Sequence, residues 1–145
     1  MNCCNSSRAT SPEPPQGKVG AKVTFIKIGT EAGGLEKYDF LLAEAKKACK
    51  PVMIDFYADW CVACKELDKL TYPDPKVAAE SLRFTNIKID ATADGPTSTA
   101  LQKRYGVVGL PTVVFINGRG EVLNDPRVTG FEKAEPYLEI MKRVR

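Results

Sequence analysis

The chain has 145 residues, 43% of them apolar and 27% charged, which suits one domain with one core and leaves little for a second. Its formal net charge of +3 comes with no basic stretch interleaved with aromatics, so nothing points to nucleic acid. Histidine is absent, which excludes a Ser-His-Asp triad, a Cys-His protease pair and a histidine-bearing zinc site built from this chain alone.

Residues 1–20, "MNCCNSSRATSPEPPQGKVG", are polar and rich in Ser, Pro and Gly. Nothing there offsets the entropy of ordering, so a flexible tail or linker is expected, with a single domain over 21–145. "KVTFIKI" (22–28) alternates apolar and polar residues as a partly exposed strand does. In 33–49, Leu35, Tyr38, Leu41, Leu42, Ala45 and Cys49 recur at three- and four-residue spacing and predict an amphipathic helix. Cys49 is expected as a small buried residue on that helix.

"PVMIDFYA" (51–58) is a nearly continuous apolar run, as in a central strand covered on both faces. A helix should start at or next to Cys61 and run through Lys65, Leu67 and Leu70. After a turn at 72–73, Asp74 is the expected N-cap of another helix, with Pro75 in its first position. A strand over 83–91 and a helix over 96–107 follow, the latter stopped by Gly106. Residues 111–124 predict two antiparallel strands joined by a turn at Asn117-Gly118. A basic-ended helix over 132–145 closes the chain. The order β-α-β-α-β-α-β-β-α implies an α/β fold with a mixed central sheet flanked by helices.

No stretch approaches the roughly 18 consecutive apolar residues of a membrane span, and no apolar signal segment opens the chain, so no direct membrane insertion is expected. Five cysteines cannot all pair within one chain. Cys3 and Cys4 lie in the polar tail, Cys49 stands apart, and Cys61 and Cys64 form a Cys-Val-Ala-Cys pair beside a βαβ pattern. That setting points to redox chemistry.

If a helix begins at Cys61, its sulfur faces unpaired backbone N–H groups and the positive end of the helix dipole, both of which stabilise thiolate. Cys64, one turn further in and more shielded, is placed to resolve a mixed disulfide formed at Cys61. Asp55 interrupts the apolar strand. Burial should raise its pKa and let it accept the proton of Cys64. Pro111, at the head of a strand, is a candidate for a cis peptide beside the active turn.

"DFYADWCVACK" with a later "GLPTVVF" resembles thioredoxin-like proteins. The fuller set "YADWCVACKELDKLTYPDPKV", "DATADG", "GLPTVVFINGRGE" and "RVTGF" is similar to the C-terminal thioredoxin-like domain of the thiol:disulfide interchange protein DsbD, over roughly residues 35–145. The resemblance implies a thioredoxin fold and a periplasmic protein-disulfide reductase. In that family a membrane-embedded donor supplies electrons, a periplasmic domain accepts them, and disulfide isomerisation and cytochrome c biogenesis consume them.

Carried over by motif, Cys61 is the nucleophile, Cys64 the resolving thiol and Asp55 the buried acid. Asp68 stands where the family usually has a glutamate, between surface charge and modulator of cysteine pKa. Pro111 borders the partner-docking surface, where the backbone of Leu110 bonds an incoming strand. Trp60 adjoins the nucleophile and is assigned to that surface, with core packing as the alternative.

No cofactor is expected beyond the redox-active disulfide, and a monomer without a metal. A zinc half-site is the alternative for the cysteine pair, but a closed site needs four ligands. Asp59 and Glu66 are expected as solvated or capping residues. The rival functions are a general thioredoxin with broad substrates, cytoplasmic or periplasmic, and a non-catalytic interaction module on the same fold. Cys3 and Cys4 have no counterpart in the family pattern.

Overall fold

A computed structural model describes residues 22–145. The tail expected over 1–20, with Cys3 and Cys4, lies outside the described residues. In chain order the elements are β1 (Ile26–Ile28), α1 (Gly34–Lys47), β2 (Val52–Tyr57), α2 (Val62–Glu66), a π-helical turn (Leu67–Thr71), α3 (Pro75–Ser81), β3 (Thr85–Asp90), α4 (Pro96–Tyr105), β4 (Thr112–Ile116), β5 (Val122–Thr129) and α5 (Ala134–Lys142). The five strands form one sheet in the order β1-β3-β2-β4-β5. β1, β3 and β2 run parallel, while β4 and β5 are antiparallel to their neighbours.

β2 is therefore the central strand, and its first five residues are buried. Its alternating side chains serve two cores. Ile54 and Phe56 pack with Ile28, Tyr38, Leu101 and Tyr105 on the face covered by α1 and α4. Met53 packs with Leu67, Tyr72, Tyr137 and Met141 on the face covered by the π-helical turn and α5. Side chains alternate along a strand, so Asp55 shares the face of Met53.

Helix α1 stops at Lys47, short of the expected 49, and Cys49 is not a buried helical residue. It is half-buried with φ 56, the left-handed position of a Schellman motif. Its amide donates to the carbonyl of Lys46 at 3.1 Å, and the Lys50 amide donates to that of Ala45 at 2.9 Å. Pro51 disfavours helical backbone at the residue before it, which explains the early stop.

The hairpin differs as well. Its loop spans 117–121, and the left-handed residue is Gly120 (φ 85) rather than Gly118. Asn117 Oδ1 accepts from the amides of Arg119 and Glu121, so the asparagine side chain organises the loop. β5 runs on to Thr129, through a cis Asp125–Pro126 bond. A proline inside a strand is tolerated here because β5 is the edge of the sheet.

Asp74 caps α3 as expected, its Oδ1 accepting from the amides of Lys76 at 2.8 Å and Val77 at 3.1 Å, with Pro75 following. Asp74→Ala should lower unfolding free energy by about 1 kcal/mol, and Asp74→Asn should restore most of it. Urea denaturation of the three proteins measures this; equal midpoints would remove the cap from the stabilising interactions.

Candidate active site

Cys61 is the N-cap of α2, with extended backbone (φ −93, ψ 111) and its Sγ accepting from the Cys64 amide at 3.1 Å. Strand β2 delivers the chain to this point through a tight turn in which the Cys61 amide bonds the Ala58 carbonyl at 3.1 Å. The helix thus begins at Val62, and the first cysteine sits where the free N–H groups point. Cys61 and Cys64 are joined as a disulfide with Cα atoms 5.3 Å apart. Both are buried, at 6% and 4% exposure, so the expected difference in shielding is small.

Apolar and charged side chains share the surface next to the pair in the chain. Trp60 is 65% exposed, which removes it from the core, and its Nε1 donates to the Thr92 carbonyl at 3.0 Å. Val62 and Val108 are also exposed, Val108 completely. Leu110 packs against Ala58, Cys61 and Cys64, and the Leu110–Pro111 peptide is cis. The Pro111 carbonyl accepts from Gly130 at 3.1 Å, tying this loop to the end of β5. Asp59 and Glu66 are exposed.

Asp55, six residues before Cys61 on β2, is 2% exposed. Its Oδ2 accepts from the Tyr72 hydroxyl at 2.8 Å, while its Oδ1 has no hydrogen-bond partner among the described residues. Burial pushes its pKa up to about 6, against the opposing pull of the Lys88 charge and the Tyr72 hydrogen bond, with Asp68 adding a further upward push. Lys88 is the residue directly across from Asp55 on β3. Its ammonium bonds Asp68 Oδ1 at 2.7 Å and lies over the rings of Tyr57 (4.7 Å) and Phe25 (5.2 Å). Asp68 is thus the partner of a nearly buried cation, Lys88's side chain being 8% exposed.

The π-helical turn brings Tyr72 into place. The Tyr72 amide bonds the Leu67 carbonyl at 2.9 Å, five residues back, so both Leu67 and Tyr72 enter the core on the Asp55 face. Sequence reasoning missed Lys88, Tyr72 and Tyr137. A signal for the first was present: "NIKID" sets Asn86 and Lys88 on one face of a strand paired on both edges, where apolar residues are the rule. Tyr72 was hidden inside what read as a turn.

Among the described residues no three His, Cys, Asp or Glu side chains are grouped to hold a metal ion, and no helix is long and apolar enough to cross a membrane.

A family model described as "Thioredoxin-like domain" matches residues 39–145. The chain is 44% identical over 124 residues to the thiol:disulfide interchange protein DsbD of Vibrio vulnificus strain CMCP6, covering 86% of this chain and 20% of that protein. The chain therefore spans about a fifth of the length of that curated relative. Among solved structures it is similar to the DsbD C-terminal domain of Neisseria meningitidis. The oxidised form matches with TM-score 0.67 and 33% identity, over 76% of this chain and 94% of that one. The reduced form matches with TM-score 0.68 and 31% identity, over 81% and 99%.

Because the Asp55 carboxyl has a folded pKa near 6 against an ordinary 3.8, the folded state holds a proton there that the unfolded chain has released between those values. Stability should fall as pH rises through that window. Asp55→Asn should therefore stabilise the fold by on the order of 2–3 kcal/mol above pH 6, with the gain vanishing below pH 4. Denaturant titrations at pH 4, 5.5 and 7.5 measure it; a gain independent of pH would contradict the buried-carboxylate penalty.

Proposed function

This chain belongs to the thioredoxin-like family, with the C-terminal domain of DsbD among its relatives, and we propose that it is a thiol:disulfide oxidoreductase working as a reductive relay between protein thiols. The observation that carries this reading is the placement of Cys61 at the helix N-cap, disulfide-bonded to Cys64, at the end of the strand that buries Asp55.

In the reduced chain, Cys61 thiolate is stabilised by the free amides at the start of α2. Its sulfur attacks one sulfur of a partner disulfide, forming a Cys61–partner disulfide and releasing the partner's other sulfur as thiolate. Cys64 then gives its proton to Asp55, and its sulfur attacks Cys61 Sγ. The mixed disulfide breaks, the Cys61–Cys64 disulfide forms, and the partner leaves with both sulfurs as thiolates, which take up protons from Asp55 and from water. Two electrons have passed to the partner, and the disulfide itself is the carrier, with no dissociable cofactor.

Trp60, Val62 and Val108 offer an apolar seat for the partner around Cys61. The Leu110 backbone beside the cis Pro111 is placed to pair with an extended partner segment. By kinship with DsbD, the electron source is a membrane-embedded donor and the acceptor a periplasmic domain feeding disulfide isomerisation and cytochrome c biogenesis. The compartment is the periplasm.

Cys64→Ser should trap a mixed disulfide on Cys61 when the reduced chain meets the oxidised N-terminal domain of a DsbD relative, visible as a covalent adduct by mass spectrometry. Cys61→Ser should form no adduct and reduce nothing. The unmodified reduced chain should reduce that domain faster than it reduces insulin. Faster reduction of insulin would favour a general thioredoxin, and full biological activity of Cys61→Ser would favour a non-catalytic docking module.

A further inference from the structure

The described residues hold two buried pairs of tyrosine hydroxyls at hydrogen-bonding distance, one on each face of the sheet. Tyr38 and Tyr105 meet at 2.6 Å on the α1–α4 face, and Tyr72 and Tyr137 meet at 3.1 Å on the other. Only the second pair touches a carboxylate. Tyr72 has one hydroxyl proton and donates it to Asp55 Oδ2 at 2.8 Å. Toward Tyr137 the Tyr72 oxygen is therefore an acceptor, and the donor is Tyr137, whose other neighbour is the weakly accepting Met53 Sδ at 3.4 Å. The result is a directed chain, Tyr137 to Tyr72 to Asp55.

The chain is held rigidly. Tyr72's ring meets the edges of Phe25 (5.0 Å) and Tyr137 (5.6 Å) in T-shaped contacts. Its backbone is bonded on both sides, amide to Leu67 and carbonyl to the Val23 amide at 3.0 Å. Burial holds both phenols well above their ordinary pKa, so Tyr72 stays a donor across the working pH range and takes no proton itself.

We propose that Tyr72, backed by Tyr137, is the positioning residue for the Asp55 proton acceptor: it occupies Oδ2 and leaves Oδ1 to take the proton of the resolving thiol. This rests on the reading of Asp55 as that acceptor. In the step, the Cys64 S–H bond breaks, an O–H bond forms at Asp55 Oδ1, and the electron pair stays on sulfur. Tyr72 keeps its own proton. The other charged or titratable groups that act on Asp55 are Lys88 from β3, Asp68 from the π-helical turn and Tyr137 from α5, while β4 presents only Val113 across from it. Lys88 is paired with Asp68, which leaves Tyr72 as the hydrogen-bond donor to the carboxylate. A donor to the ionised form favours that form, so its loss must raise the pH at which Asp55 ionises.

The test uses the whole chain with 13C-labelled aspartate carboxyls. The Asp55 midpoint is read by NMR in the reduced protein, and the pH profile of the resolving step is read in stopped flow. Tyr72→Phe should move the midpoint upward by about one pH unit or more, and the acid limb of the rate with it. Tyr137→Phe should move both less and in the same direction. Tyr38→Phe, which removes a similar hydroxyl pair from the opposite face, should move neither.

An unmoved or lowered midpoint in folded Tyr72→Phe overturns the proposal. If that variant does not fold, an unmoved midpoint in Tyr137→Phe does so. Asp55→Asn separates the two levels. Persistence of the acid limb there overturns the acceptor reading and this inference with it. Loss of the limb there, with an unmoved midpoint in Tyr72→Phe, overturns the positioning role alone.

Discussion

A carboxylate buried in the middle of the central strand is the constraint around which much of the rest is arranged. Water would solvate Asp55 far better than the interior does, and that loss is the main cause of its raised pKa. The surroundings offset it only in part. One oxygen receives the Tyr72 hydroxyl and the other receives no hydrogen bond from the described residues. Lys88 faces the strand from β3, but its ammonium is bonded to Asp68. A fuller set of donors would hold the carboxylate firmly ionised and make it a poor proton acceptor at neutral pH. A purely apolar setting would keep it protonated. The mixed environment leaves it near pH 6, where both forms are accessible.

Sheet topology brings the remaining parts to the same end of β2. The parallel pairing with β3 and the antiparallel pairing with β4 put the end of β3 and the start of β4 beside the exit of β2. From β3 comes the turn in which Thr92 Oγ1 accepts from the Asp59 amide at 2.9 Å and the Thr92 carbonyl holds Trp60. Ahead of β4 comes the loop of Val108, Leu110 and the cis Pro111. The cysteines then start a helix whose π-helical continuation returns Tyr72 to the buried carboxylate. Three segments distant in sequence therefore converge on the cysteine pair because the strand register demands it.

Much of this was legible in the residues. The cysteine pair, Asp55 and Pro111 are marked by local features: a spacing, a charge inside an apolar run, and a proline at a strand head. The alternation of apolar periods fixed the element order and the central place of β2, since short-range periodicity encodes which face is buried. Four kinds of feature escaped. The π-helical turn adds one residue to a helix without any compositional mark, so Tyr72 looked like part of a turn. The extension of β5 past Pro126 depends on that strand being an edge, which is a property of the whole sheet. Cys49 fell at a helical spacing, yet the proline two residues on and the Schellman bonds end the helix first. Lys88, 33 residues on from Asp55 and across from it on β3, and Tyr137, 82 residues on and linked to it through Tyr72, matter through long-range placement that single-segment patterns do not encode.

The reduction potential of the Cys61–Cys64 pair tests the assigned direction of electron flow most directly. The protein would be equilibrated in glutathione buffers and its free thiols trapped and counted by mass shift. A value below about −200 mV, toward the thioredoxin end of the range, is expected for a reductive relay. A value near −120 mV, the range of strong oxidants, would reverse the direction, and the absence of any reversible transition would contradict redox function at this pair.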